Sequence, residues 1–154
     1  MLLEVRINLM ESAVNALRRA SAGRRPARAA HLETGERGER AAVFWLRRHG
    51  YIIVARGWRS SRAPGDLDLI AWQGETLCFI EVKTRTTRAV APAHLAVDRD
   101  KRRTLRRLAR HYLRQLPNRD VASRFDILSI YFEAGKEPDY ELFPNAFTWT
   151  EARR

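Results

Sequence analysis

Three residues in one short stretch have the types and spacing to do hydrolytic chemistry: Asp68, Glu81 and Lys83. They lie in Pro64–Lys83, PGDLDLIAWQGETLCFIEVK, which reads as two short strands joined at Gln73-Gly74-Glu75. Strand alternation puts Asp66, Asp68, Ile70 and Trp72 on one face, with Leu67, Leu69 and Ala71 on the other. In the second strand Leu77, Phe79, Glu81 and Lys83 share a face, opposite Cys78, Ile80 and Val82. Strands this apolar are buried, and a buried carboxylate must be paired, bound to a metal or protonated. Same-face side chains two apart are about 7 Å apart, so Asp68 and Glu81 on neighbouring strands can share one divalent cation. Carboxylate oxygens suit Mg²⁺ or Mn²⁺, which polarise a phosphate and acidify a bound water. Lys83 is then placed to orient that water or offset charge on phosphorus. The plainer reading of the same spacing is a structural Asp/Glu/Lys ion-pair cluster.

The elements that must position these residues follow from periodicity. TGERGERAAVFWLRRHG predicts a helix with Thr34 as N-cap and Gly50 just past its end. Glu39, Ala42, Val43 and Leu46 fall on one face of it. Glu39, the charged member of that apolar stripe, either reaches the acidic strands or sits exposed in the first turn, favoured by the helix dipole. Tyr51–Ala55 reads as the first strand, and Arg56, Arg59 and Arg62 as a basic loop around Trp58. A second helix is expected over about Asp98–Leu116. Its stripe of Val97, Leu105, Leu108, Tyr112 and Leu116 is interrupted by Lys101, and Pro117 ends it. Arg124–Phe132 and Tyr140–Phe143 read as the last strands, with Asn145-Ala146-Phe147 closing the domain. The order predicts an α/β fold with a mixed central sheet of about five strands, flanked by helices and crossing over right-handed through the second helix.

Composition narrows the class. In 154 residues, 29 Lys and Arg against 18 Asp and Glu give a formal charge of +11, and arginine makes up most of the basic total. Arginine forks match phosphate geometry, so nucleic acid is the expected partner. Arg56, Arg59, Arg62, Arg85, Lys101, Arg102 and Arg106 are the expected phosphate contacts. The single cysteine, Cys78, excludes an intramolecular disulfide framework. No apolar run approaches the ~18 residues of a membrane span, and Glu4 and Glu11 argue against a secretory signal, so a cytoplasmic location is expected. Residues 1–33 read as an extension, a helix over Met1–Ala20 followed by a basic linker broken by Gly23 and Pro26. The domain proper is expected over 34–150, with 151–154 as a tail.

Several ordered blocks carry a resemblance. Gly35…Gly38-Glu39…Ala42, Gly50-Tyr51, Gly65-Asp66-Leu67-Asp68-Leu69-Ile70-Ala71 and Phe79-Ile80-Glu81-Val82-Lys83-Thr84-Arg85 run in the order of the YraN-like family. Lys101, Arg124-Phe125-Asp126 and Asn145-Ala146-Phe147 look like its later blocks. That family comprises small bacterial predicted endonucleases and is similar to archaeal Holliday junction resolvases within the restriction-endonuclease-like superfamily. Asp66 stands where the family usually shows glutamate. The resemblance implies a restriction-endonuclease-like core, with Asp68, Glu81 and the Val82 carbonyl as ligands for Mg²⁺ or Mn²⁺. It implies Lys83 as catalytic lysine and Glu39 as an additional acid. The expectation is a metal-dependent nuclease acting on DNA, with branched or single-stranded forms as candidate substrates, in repair, recombination or processing, and by analogy a homodimer. The rivals are a catalytically silent nucleic-acid-binding module of the same fold and a basic protein-interaction factor.

Overall fold

The computed structural model describes residues 33–88 and 97–150. The chain divides into two units, Met1–Glu36 and Arg37–Arg154, and the α/β body lies in the second. The expected helix over Met1–Ala20, the basic linker, the tail 151–154 and most of the stretch before the second helix fall outside the described residues.

Helix α1 is described over residues 33–48. It is already helical at residue 33, so Thr34 lies inside the helix and does not cap it. Gly50 ends the connection at φ +82°, a conformation that costs an L side chain energy and glycine little. Strands β1 (Tyr51–Ser60), β2 (Ala63–Gln73) and β3 (Thr76–Arg85) form an antiparallel meander. Helix α2 (Arg99–Leu113) crosses to β4 (Ser123–Tyr131), which pairs parallel with β3, and β5 (Asp139–Phe147) pairs antiparallel with β4. The five strands lie in the order β1-β2-β3-β4-β5 with two helices flanking them, a mixed α/β sheet as expected.

The alternation read from the sequence becomes two cores. Ile70, Leu77, Phe79, Phe125 and Ile127 pack with Leu105, Leu108 and Ala109 of α2. On the other face Leu69, Ala71, Cys78, Ile80 and Leu128 pack with Ala42, Val43 and Leu46 of α1. Both faces of the central strands are thus covered, which is why β3 and β4 read as nearly continuous apolar runs.

Three local expectations are corrected. β1 continues to Ser60, so Arg56 and Arg59 are strand residues and only Arg62 lies in the turn. β5 runs through Pro144 to Phe147, and Asn145 at φ +52° accommodates a register shift opposite Asp126. Leu67 joins the α2 core with Trp58, not the face of Leu69. Between the pairs Trp58↔Leu67 and Arg56↔Leu69 lies Gly57 at φ +52°, a left-handed conformation that glycine adopts at little cost. Asp68 lies across from that point.

Candidate active site

The β2–β3 ladder runs from Gln73↔Thr76 to Leu69↔Ile80, and its last pair stands immediately before Asp68 and Glu81. There a side chain replaces the ladder bond: the Val82 N–H donates to Asp68 Oδ2 at 2.8 Å. This ties the carboxylate of β2 to the β3 residue between Glu81 and Lys83. The sheet is therefore prised open where the two acids meet.

Glu81 is 4% exposed and faces α2. Lys83 Nζ donates to Glu81 Oε1 at 2.8 Å, and Lys101 Nζ reaches the same oxygen at 3.2 Å. Glu81 Oε2 is buried and has no hydrogen-bond partner among the described residues. Burial, followed by repulsion from Glu81, raises the Asp68 carboxyl to about 7, against the pull of the Val82 N–H and Lys101. Glu39, half-buried on α1, adds a weaker repulsion to Asp68. For Lys101 burial works against the charge, but Glu81 and then Asp68 outweigh it and hold the ammonium above the ordinary lysine value.

Two close approaches set this geometry. A Cβ on Gly38 would overlap Thr84 Oγ1, so α1 lies directly on β3 beside Lys83 and carries Glu39 with it. A Cβ on Gly65, at φ +95°, would come within 3.0 Å of Thr104 Cγ2, so α2 lies tight against the start of β2. The N-cap Asp98 accepts from the Lys101 N–H at 2.8 Å, fixing the turn from which Lys101 reaches inward.

The arrangement brings together Asp68, Glu81, Lys83 and the Val82 backbone, with Glu39 at its margin. It also adds Lys101, which the sequence placed among phosphate contacts. The signal was present, since Lys101 interrupts the apolar stripe of α2. Among the described residues no three His, Cys, Asp or Glu side chains form a closed metal cage. A closed cage is not what Mg²⁺ requires, since it keeps several waters and binds through one or two carboxylates. Buried Glu81, with one oxygen unpartnered among the described residues, and half-buried Asp68, its acidity lowered by burial and then by Glu81, fit a divalent cation. When bound there, such an ion supplies Lewis acidity and a more acidic water.

The arginines divide. Arg56 and Arg62 are exposed on the β1–β2 hairpin, and Arg59 pairs with Asp66 at 3.3 Å. Arg85 continues the face of Glu81 and Lys83, with its Nε buried and unpartnered among the described residues. Of the expected phosphate contacts, Arg102 and Arg106 turn inward. Arg102 Nε donates to Val97 O, and Arg106, 7% exposed, donates through Nε to Thr148 O at 2.8 Å. Both guanidinium groups lie over the Phe147 ring, so they fasten the end of β5 to α2.

A second buried acid is structural. Asp126, fully buried, accepts from Arg124 Nε at 2.9 and 3.1 Å and from the Asn145 N–H at 2.8 Å. Arg124 also donates to Tyr51 and Gln73, closing the network. Burial, with Asp126 beside it, pushes the Cys78 thiol up to about 12, so this cysteine is an inert core residue.

Comparison with known proteins agrees with this region as a unit. The model of the uncharacterised protein family UPF0102 matches residues 38–130, a span holding Glu39, Asp68, Glu81, Lys83 and Lys101. A UPF0102 protein of Koribacter versatilis is 53% identical over 117 residues, covering 76% of this chain and 80% of the relative. One from Geobacter metallireducens is 41% identical over 113 residues, covering 73% and 90%. One from Caldicellulosiruptor saccharolyticus is 34% identical over 116 residues, covering 75% and 97%. With the family model spanning more than half its length and relatives matched across most of theirs, the chain belongs to the UPF0102 (YraN-like) family.

Proposed function

We propose that this protein is a metal-dependent nuclease of the restriction-endonuclease-like kind, hydrolysing phosphodiester bonds in DNA, with branched or single-stranded forms as its substrates. The observation that carries this reading is Glu81: a buried carboxylate with two lysines on one oxygen and, among the described residues, nothing on the other, beside Asp68. A purely structural ion pair gains most when every oxygen is satisfied, because an unpartnered buried oxygen keeps its full desolvation cost. An oxygen held dry and open suits a ligand that is itself an electrophile.

In this reading Asp68, Glu81 and the Val82 carbonyl hold Mg²⁺ or Mn²⁺, and Glu39 acts from the helix side. Lys83, anchored 2.8 Å from Glu81, orients the attacking water and offsets charge gathering on the phosphate oxygens. Water oxygen bonds to phosphorus, the bond to the leaving sugar oxygen breaks, and that oxygen takes up a proton. Arg85, next along the same face, holds a flanking phosphate with the exposed Arg56 and Arg62 nearer the hairpin tip. One such site cuts one strand, so action on both strands of a branched substrate calls for a homodimer. The mutual neutralisation of Glu81 by Lys83 and Lys101 favours a second reading, a silent binding module. Among the described residues no helix is long and apolar enough to cross a membrane.

The test is cleavage of labelled junctions, flaps, duplexes and single strands by wild type and Lys83→Ala, in Mg²⁺, Mn²⁺ or EDTA. Metal-dependent cutting that disappears in the variant is expected. Equal cutting by both proteins rejects the site, and salt-sensitive binding by both without cutting favours the silent module.

A further inference from the structure

The sequence groups the arginines of α2 together, but the fold sorts them into two sets. Arg102 and Arg106 turn inward over the Phe147 ring, Arg106 bonding Thr148 O and Arg102 bonding Val97 O. Arg99, Arg103, Arg107, Arg110 and Arg114 are exposed. At 3.6 residues per turn those five fall within ~40° of a single line along the helix. Leu105, Leu108 and Ala109, buried on the sheet, lie on the opposite side. The line is flanked by two packed elements. The β1–β2 hairpin lies on one side, where Ser60 Oγ meets His111 Nδ1 at 2.9 Å. The C-terminal segment lies on the other, where Arg110 Nη2 donates to Trp149 O at 3.4 Å. Arg110 also lies over the Trp149 ring, so its fork is oriented. Arg103, Arg107 and Arg114 have no side-chain partner among the described residues.

This face is costly for the isolated protein. Each neighbouring pair is a like charge three or four residues apart, and such pairs destabilise a helix by about 0.2–0.5 kcal/mol each. Asp100 is the one acid within α2. A helix selected for stability alone would interleave glutamates.

We infer that the outer face of α2 is a rail for the phosphate backbone of one nucleic-acid strand, leading to the carboxylate site; this rests on the nucleic-acid reading above. From Arg103 to Arg114 the rail spans about 16 Å, long enough to meet successive phosphates of one strand. Guanidinium forks at each turn suit a repeating phosphate better than any single anion. The rail begins in the helical turn that carries Lys101 to Glu81, so a strand held along it arrives at the acids from the N-terminal end of α2. The contact is with phosphate, so this surface selects for polyanionic backbone and not for base sequence.

The experiment is binding of a labelled single-stranded oligonucleotide and the matching duplex by the full chain in EDTA, across a salt series. Wild type is compared with Arg103→Gln/Arg107→Gln/Arg114→Gln and with a control of equal charge loss on α1, Arg40→Gln/Arg47→Gln/Arg48→Gln. The rail variant is expected to lower the slope of log K against log salt by about 2 for the single strand, near 0.7 per lost contact, with a Tm equal to or above wild type. The control should change the slope little. Equal losses in both variants, or an unchanged slope in the rail variant, overturn the rail while leaving the nuclease reading intact. A wild type that binds neither probe overturns both. Cleavage is not a readout here, because EDTA withholds the metal, so a slope lowered in the rail variant alone supports the rail whatever the cleavage test returns.

Discussion

Lys101, in the first turn of α2, and Lys83, near the end of β3, place their ammonium groups 3.2 and 2.8 Å from one oxygen of Glu81. One comes from the covering helix and one from the strand itself, so the carboxylate staples α2 to the sheet where the β2–β3 ladder stops. The two lysines are not equivalent. Lys83 shares a strand with its partner, whereas Lys101 depends on the helix start and its Asp98 cap.

Lys101→Met should destabilise the metal-free protein by about 1–3 kcal/mol, the range for losing a hydrogen bond to a buried charge. Part of the packing survives because methionine keeps the aliphatic stem. Glu81→Gln should cost less than Lys101→Met, since it removes the buried charge together with its need for partners. Urea unfolding of the two variants checks the order, and the reverse order would mean that Lys101 is not bearing on Glu81.

Asp68 gives a pH dependence with a definite sign. Its folded carboxyl titrates at about 7, above the ordinary aspartate value near 3.8, chiefly through burial and then Glu81. Between those values the folded state holds a proton that the unfolded state has released, so this group makes stability fall as pH rises, and the loss is complete above about 7. Asp68→Asn should therefore raise the metal-free Tm at pH 8 and lose that advantage below about pH 4. Adding Mn²⁺ at pH 8 should raise the Tm of wild type and have little effect on the variant, because an ion that binds only the folded state stabilises it by mass action. Thermal scans at several pH values, with Mn²⁺ or EDTA, measure both effects.

Gly38 tests the approach of α1 to β3. Gly38→Ala would ordinarily favour a helix by up to about 1 kcal/mol, but here the new methyl overlaps Thr84 Oγ1. A net loss of about 1–3 kcal/mol is expected, in the range of overpacking. Combining it with Thr84→Ala should recover part of the loss, because the overlapping atom is removed. A double-mutant cycle with additive effects would show that the two residues do not touch.

The sequence carried the central strands and the acid pair because period-two alternation and charge in an apolar run are local signals. It also carried the order of the described elements, since each helix and strand has its own periodicity. Leu67 escaped because its face is set where it pairs with Trp58, beside Gly57 on the neighbouring strand, a pairing effect that no single strand displays. The role of Asp126 was equally non-local: Arg124 is two residues away, but Asn145 comes from β5, and Tyr51 and Gln73 reach the same network from the first two strands. Periodicity placed Lys101 among apolar positions, yet only the packing of α2 on β3 names Glu81 as its partner.

Arg106 and Arg107 are adjacent in sequence and opposite in consequence. Arg106 is 7% exposed, donates to Thr148 O at 2.8 Å and lies over Phe147, whereas Arg107 is exposed. Arg106→Ala removes a charged donor, a ring contact and buried stem atoms together, so a loss of about 2–4 kcal/mol is expected. Arg107→Ala should change stability by less than about 0.5 kcal/mol. The nucleic-acid effects should run the other way at a temperature where both variants are folded, with Arg107→Ala weakening salt-sensitive binding and Arg106→Ala leaving it near wild type. Parallel denaturation and binding measurements decide this, and equal behaviour of the two variants in both would show that α2 does not divide its arginines between fold and surface.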